Sequence, residues 1–460
     1  MYNQKNRFKN TGFFLIFLFL TNTVFSQTEE WTLEQCVNYA VQNNIQLKQG
    51  QLNQALAEMQ VQQSKYDFTP NINGSVDLGL NLGRSIDPTT NQFLNQTTWT
   101  NQYGLSISQE VFSGLTKLKT VDKNKIDVQA IELDNESLKT NIQLNLLTAY
   151  LNILNAEEQL EQAKISQKST VEQLQRTQTL IKAGALPEKA IIDIETQKIS
   201  EEATITNLEN QVKLAYNTLK NLLQLEPGKE LIVKKPQEPE IDGNLTIETL
   251  ENVYGEALKR RPEIKSQQLK IESSKLSLSI AKGAYLPTVS LFSSFGTGYS
   301  NQYRSYDLVD PFNPVANKVN YGKQLNDNVG YNMGVRLTIP IYNKRLPYFG
   351  MRQAEFGIQN AEFQLKSAEL QLYENIKQAH LRASTAQSNY NIMLKSLEAS
   401  NKSLEYAKER LDRGVLTQIE YTVAKNARDA AQSRVTQAKY EYLFSTKVLD
   451  FYMGKDIDLN

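Results

Sequence analysis

Cysteine, histidine and net charge are almost absent from this chain, and each shortage closes off a class of function. One cysteine in 460 residues, Cys36, cannot form an intramolecular disulfide. The one histidine, His380, lies in the helix-forming run ENIKQAHLRAS, so neither a histidine metal site nor a Ser/His/Asp set can be built around it. Fifty basic and fifty acidic side chains sum to zero, and nothing forms the clustered basic surface that nucleic acid demands. Gly-rich phosphate loops are missing too. Acidic pairs such as Glu157-Glu158 and Glu201-Glu202 stand beside Lys and Gln in helical runs and read as solvated faces. No cofactor, no metal and no enzymatic activity are therefore expected.

Long apolar runs are also lacking. The run at 12–20 has about half the ~20 residues of a spanning helix. With Lys5, Arg7 and Lys9 before it and Val24-Phe25-Ser26 after it, this run reads as a secretory signal peptide over 1–26, with the mature chain starting at Gln27. An inner-membrane protein is excluded on this reading. Cys36 stands ten positions beyond Ser26, too far for lipidation at the cut.

What the chain does have is a duplication. LEQCVNYAVQNNIQL from Leu33 returns in outline as LENVYGEALKRRPEI from Leu250, an offset of 217 that also carries Pro70 onto Pro287. Further on, IKAGAL around Gly184 answers LDRGVL around Gly414, an offset of 230. The second copy has gained its 13 extra residues between Pro287 and Tyr342. The unit is too long for a solenoid repeat. The chain divides into repeat 1 (27–225), a Pro- and Gly-containing belt (226–248), repeat 2 (249–454) and a polar tail (455–460).

Within each repeat two segments switch to period 2. Ile72, Val76, Leu78, Leu80 and Leu82 share a face against Asn73, Ser75, Asp77 and Asn81; 99–111, 289–299 and 329–341 alternate likewise. At about 10–13 residues they have the length of tilted membrane-barrel strands rather than of the usual five or six. Asp77, Glu110 and Arg336 on the polar faces suit a wet lumen, and Trp99, Tyr299 and Tyr342 near strand ends suit the interfaces. Four strands cannot close a barrel, and lipid tolerates no open edge, so copies must share one; three copies give twelve strands. The connections 83–98 and 300–328 are long and polar, like extracellular loops.

The remainder reads as helix. Residues 116–183 hold neither Pro nor Gly, and 348–413 hold Gly only at 350 and 357, so each run spans about 100 Å at 1.5 Å per residue. Ala361, Leu365, Ala368, Leu372, Ile376 and Ala379 keep a coiled-coil rhythm, and Ile142, Ala149, Ala156 and Ala163 step by seven. Gly184 (with Pro187 close behind) and Gly414 mark tight turns into return helices at about 188–225 and 417–453. Lead helices at about 32–67 and 249–285 match them in length. The expected fold is mostly α with membrane β: half-helices stacked end to end in an α-barrel, with a shared barrel on one end.

In this order and spacing the chain resembles the TolC-like outer-membrane efflux protein family over 30–454. The residues that carry the resemblance are the helix-to-strand junctions at Pro70 and Pro287, the IPIYN turn at 339–343, the paired tip glycines, and ERLDRGVLTQIEYTVAKN at 409–426. The resemblance implies a homotrimer with a twelve-stranded barrel in outer-membrane lipid and a twelve-helix tunnel across the periplasm. It also implies docking to an inner-membrane pump through a periplasmic adaptor, as the passive exit duct of a tripartite efflux or type I secretion system. Gly184, Leu186, Arg410, Gly414, Val415 and Leu416 fall at the family's adaptor-facing tips, and Glu420 matches an acid of its tunnel constriction. Leu180 and Ala190 stand where the family often has Arg and an acid, and Val423 stands at its second constriction acid. Two other readings compete. A structural coiled-coil or adhesin-like envelope protein needs no amphipathic strands, and a stand-alone porin needs at least eight strands and no 100 Å helices.

Overall fold

A computed structural model describes residues 30–86, 91, 93–95, 97–185, 187–235, 247–307 and 315–455. The expected signal peptide, the belt segment 236–246 and the tail 456–460 lie outside the described residues.

The chain opens on a two-residue strand, β1 (Glu30–Trp31); α1 (Leu33–Asn43) and α2 (Ile45–Tyr66) then lead into β2 (Asn71–Asn81). A small hairpin, β3 (Arg84–Ile86) and β4 (Phe93–Asn95), sits within the connection to β5 (Thr98–Ser113). Next, α3 (Thr116–Lys182) runs out, α4 (Lys189–Leu223) returns, and β6 (Ile232–Val233) closes the first copy. The second copy is α5 (Leu250–Arg260), α6 (Pro262–Gly283) and β7 (Thr288–Ser300), followed by the hairpin β8 (Arg304–Asp307) and β9 (Val315–Lys318). It continues through the short helix α7 (Tyr321–Asp327), β10 (Gly330–Thr338), α8 (Leu346–Asp412) and α9 (Gln418–Tyr452). Equivalent helices match residue for residue in length: 11 in α1 and α5, 22 in α2 and α6, 67 in α3 and α8, 35 in α4 and α9.

Each lead helix, expected in one piece, is broken. Asn44 closes α1 by donating its N–H to the Ala40 carbonyl (2.8 Å). Its side chain then opens α2 by accepting the N–H groups of Gln46 and Leu47 at 2.9 and 3.3 Å. A short polar side chain that bonds its own backbone competes with the helix, so Asn breaks it and caps the next one. In the second copy Pro262 does this work: it has no N–H to give, holds Arg261 extended, and fits the first helical position.

Each break meets the end of a return helix. Ile45 donates its N–H to Oε1 of Gln224, the residue that caps α4 (2.9 Å), so α2 stands on α4. The buried Arg261 guanidinium lies 5.1 and 5.4 Å over the rings of Phe451 and Tyr452 at the end of α9, and pairs with Glu263 at 2.9 Å. The wall of one copy is therefore four staves wide: α2 on α4, then α3, then α6 with α9, then α8. Ala149, Ala156, Ala361, Ala379, Ala431 and Ala438 are all buried, which lets the staves approach closely.

Beside the α2–α4 joint, β1 pairs parallel with β6, Glu30 opposite Ile232 and Trp31 opposite Val233. The Tyr150 hydroxyl donates to the Lys234 carbonyl (2.5 Å), fixing this clamp to α3. Beneath it Cys36 is fully buried, and desolvation pushes its thiol up to about 12. Thiolate is the reactive form, so a maleimide is expected to label the unfolded protein and leave the native protein unlabelled. Labelling of native protein at the unfolded rate would show that α1 does not stay docked on α3.

The sheet runs β10-β7-β5-β2, antiparallel throughout, with a bulge between Glu110 and Phe112. β10 ends at Thr338 rather than at 341, because Pro340 has no N–H for a ladder. Both turns from strand to long helix use two consecutive left-handed residues. They are Gly114-Leu115 (φ 63 and 65) in the first copy and Lys344-Arg345 (φ 48 and 56) in the second. A non-glycine residue pays roughly 1–2 kcal/mol for this conformation. At Gly114 no other residue fits, since a Cβ would strike the Gly283 carbonyl.

Candidate functional site

The register sorts the four strands into two faces. Ile72, Ile107, Ser293 and Met333 form one row across the sheet; Gly74, Leu105, Phe295 and Tyr331 form the next row on the same side. Toward the helix end this face continues through Leu291 beside Val335 and Val289 beside Leu337. The other face carries Asn73, Ser106, Ser294 and Asn332 in one row and Glu110, Ser290 and Arg336 in another. Arg336 lies 5.2 Å over the ring of Phe292 on that side.

Among the described residues nothing covers the apolar face. Met333 is 79% exposed, and Leu78, Val76 and Val335 stand out similarly. A water-soluble sheet would lay a helix across such a face. Here every long helix leaves from one end of the sheet, while the hairpins and α7 occupy the other. The edges are open as well: β2 and β10 each pair on one side only.

At the far end of the helices, both tips are built alike. Gly184 (φ 72) gives its N–H to the Ile181 carbonyl (2.8 Å), and Ala185 gives its N–H to the Leu180 carbonyl (2.9 Å). Gly414 (φ 73) gives its N–H to the Leu411 carbonyl (2.9 Å), and Val415 gives its N–H to the Arg410 carbonyl (2.9 Å). These paired bonds satisfy carbonyls that a helix end would otherwise leave orphaned. A Cβ would meet nothing at either glycine, so the left-handed backbone alone requires them. Val415 is exposed and Leu416 half-buried, whereas Leu186 lies outside the described residues. Lys425 donates to the Ser169 hydroxyl (2.9 Å), tying the two helical hairpins together above their tips.

Glu420 is occupied by its own helix. Its Oε2 accepts the Thr417 N–H (2.9 Å) and hydroxyl (2.7 Å), while its N–H donates to the Thr417 hydroxyl (3.3 Å). This is a capping box, legible beforehand as T-x-x-E at 417–420. The Thr417 N–H first, then the hydroxyl, hold the Glu420 carboxyl below its usual range. With a lowered folded-state pKa, the cap's contribution is present above the unfolded carboxyl pKa and lost as pH falls through the folded value.

An uncovered apolar sheet with open edges, prolonged at one end by two 67-residue helices, has close counterparts. The sequence profile of the family described as "Outer membrane efflux protein" matches residues 36–224 and 253–455. The chain belongs to the outer membrane efflux protein family. It is 21% identical to outer membrane protein TolC of Vibrio cholerae over 318 residues, 67% of this chain and 65% of that relative. Its fold is similar to that of CusC, with a TM-score of 0.75 at 16% identity over 92% of both chains. It is also similar to the Campylobacter jejuni CmeC outer membrane channel, with a TM-score of 0.71 at 20% identity over 92% of this chain and 85% of that one.

As an outer membrane efflux protein, the chain sits in the outer membrane and spans into the periplasm. The apolar rows are then the lipid-facing side and the polar rows the water-facing side. The family is one of efflux proteins rather than enzymes. The tip turns and Glu420 fall inside the matched regions. Sequence reasoning did not single out Arg261, Tyr150, Lys344 or Arg345. Only the last two left a trace beforehand: at the offset of 230, Lys344 replaces Gly114.

Proposed function

We propose that three copies close into one passive duct, a twelve-stranded barrel continued by a twelve-stave helical tunnel. This duct serves as the exit of a tripartite efflux or type I secretion system. The observation that carries this reading is that one copy ends on both sides in unfinished surfaces. In the sheet these are the outer edges of β2 and β10, whose free backbone groups lipid cannot satisfy. In the helical wall they are two apolar stripes. On α2, Leu47, Gly50, Ala57 and Ser64 are buried toward α3, whereas Leu52, Met59 and Tyr66 are exposed. Each of these exposed residues lies two positions past a buried one, about 200° round the helix. On α8, Phe349, Phe356, Phe363 and Leu370 are exposed at steps of seven, opposite the buried Leu372 and Ile376. A heptad stripe on each outer stave fits a neighbouring copy.

A duct of this kind has no energy source of its own, so an inner-membrane pump acting through a periplasmic adaptor would drive it. The adaptor would meet the tips at Gly184, Leu186, Arg410, Gly414, Val415 and Leu416, where the exposed Val415 offers an apolar contact. Mass measurement in detergent is expected to return three chains; a monomer would overturn the reading. Three-fold symmetry would turn Glu420 into a ring of three carboxylates at the mouth, which attracts cations. Glu420→Gln is expected to lower cation preference in planar-bilayer conductance while leaving the trimer intact. Selectivity unchanged by this substitution would confine Glu420 to its capping role.

A further inference from the structure

The two strand-to-helix turns differ in a way that duplication does not require. In the first copy glycine takes the first of the two left-handed positions and Leu115 the second, and the nearby cation is used internally. Lys117 donates to the carbonyls of Asp67 (2.8 Å) and Glu110 (3.3 Å), and it lies 3.5 Å from the Glu110 carboxylate. In the second copy the same backbone pair is Lys344-Arg345, both exposed. Glycine would hold the first of these positions without strain, as Gly114 does, yet Lys344 stands there beside Arg345. Neither side chain makes an ion pair or a hydrogen bond among the described residues.

Beside this turn lies a cavity of about 450 Å³, lined by Tyr285, Ile341, Tyr342, Arg345 and Tyr348 among others. It sits between the end of α6 and the start of α8, where Pro340, Ile341 and Tyr342 lead on from the edge strand β10. It also sits at the helix end of the sheet, just past Thr338, where the lipid-facing series Tyr331, Met333, Val335, Leu337 ends and the exposed Ile339 and Ile341 follow. Ile341 is 94% exposed. Three tyrosines with apolar bodies and polar tips suit the boundary between hydrocarbon and water.

We propose that this pocket binds the headgroup of an anionic glycerophospholipid from the periplasm-facing leaflet. Arg345, on the pocket wall, and Lys344, beside it in the turn but outside the lining, hold its phosphate, and an acyl chain lies along Ile341 and Leu337. Arginine's planar fork and lysine's point charge are the usual pair for a phosphate, and the volume falls in the range of small-ligand pockets. The inference rests on the outward orientation of the apolar face, and it is independent of the adaptor and pump.

The test uses full-length protein in detergent, titrated separately with phosphatidylglycerol, phosphatidylcholine and inorganic phosphate. Retained lipid is read by native mass spectrometry and melting temperature by thermal shift. Phosphatidylglycerol is expected to be retained and to raise the melting temperature of the wild type. K344Q/R345Q is expected to bind it about tenfold or more weakly, two surface cations being lost. Lys344→Gly provides the second variant: it should melt higher than wild type without lipid, because strain is released, yet retain less phosphatidylglycerol. Equal retention by wild type and both variants would overturn the proposal. Inorganic phosphate acting as strongly as phosphatidylglycerol would make this a free-anion site instead of a lipid site. Loss of the trimer in lipid-free K344Q/R345Q would make it a contact between copies. In the first two outcomes trimer mass and conductance would be unchanged, so the duct reading would stand.

Discussion

Arginine in place of Val335 is expected to remove the protein from the outer-membrane fraction. Val335 lies in the middle of β10, opposite Leu291, on the uncovered apolar face. An arginine facing lipid near the midplane costs about 2–4 kcal/mol per chain, and a three-fold assembly meets that cost three times. The neighbouring residue supplies the control. Arg336 is already an arginine, but it points to the other face, with its guanidinium 5.2 Å over Phe292. Asn332→Arg on that polar face is therefore expected to leave assembly intact. Membrane fractionation with a heat-resistance gel checks both. Equal behaviour of the two variants would mean that lipid does not contact the Met333–Val335 side.

Phe363→Asp is expected to convert the trimer into folded monomer. Phe363 is 73% exposed in one copy and sits in the middle of the α8 stripe, which the proposed assembly buries against a neighbouring copy. Burying an unpaired carboxylate there costs several kcal/mol, and the packing of the aromatic ring against the next copy is forfeited as well. The inward side of α8, which holds Leu372 and Ile376 against α5, α6 and α9, is untouched, so helix content should be unchanged. Light scattering in detergent together with circular dichroism separates the outcomes. A trimer that persists would move the α8 stripe from the interface to the lumen or the outer surface.

Much of this architecture was legible because lipid makes strands conspicuous. A face turned to hydrocarbon needs an unbroken apolar series, so 72–82 read as a strand, and β2 is Asn71–Asn81. The long helices were plain from the absence of breakers, and the tips from glycines whose only role is a positive φ. The break at Asn44 was not legible: Asn is common in this chain, and the partner that marks the joint, the Gln224 side chain on the Ile45 N–H, lies 179 residues from Ile45. For the same reason the β1–β6 clamp stayed hidden, since two-residue strands carry no periodicity. The 13 residues gained by the second copy read as loop, yet that region holds β8, β9 and α7. The helix α7 is fixed to β7 by the buried Gln324, which accepts the Ser300 N–H at 2.9 Å. The tertiary partner, rather than local propensity, decides such a segment. At Glu420 a local signal was present in Thr417, and it describes the side chain in one copy.

The claim that everything else rests on is that β2 of one copy pairs with β10 of the next. Within one chain these strands are three spacings apart, about 14 Å, whereas a disulfide needs Cα atoms within about 7 Å. Any bond between them must therefore join two chains, and the buried Cys36 stays out of the reaction. Val76→Cys combined in turn with Tyr331→Cys, Met333→Cys or Val335→Cys covers neighbouring registers on the same face. Oxidation of membranes carrying these pairs, followed by a denaturing non-reducing gel, is the direct measurement. The predicted result is a ladder that stops at three chains for at least one pair. Monomer alone from all three pairs, or a ladder running past three, would contradict the closed trimeric duct.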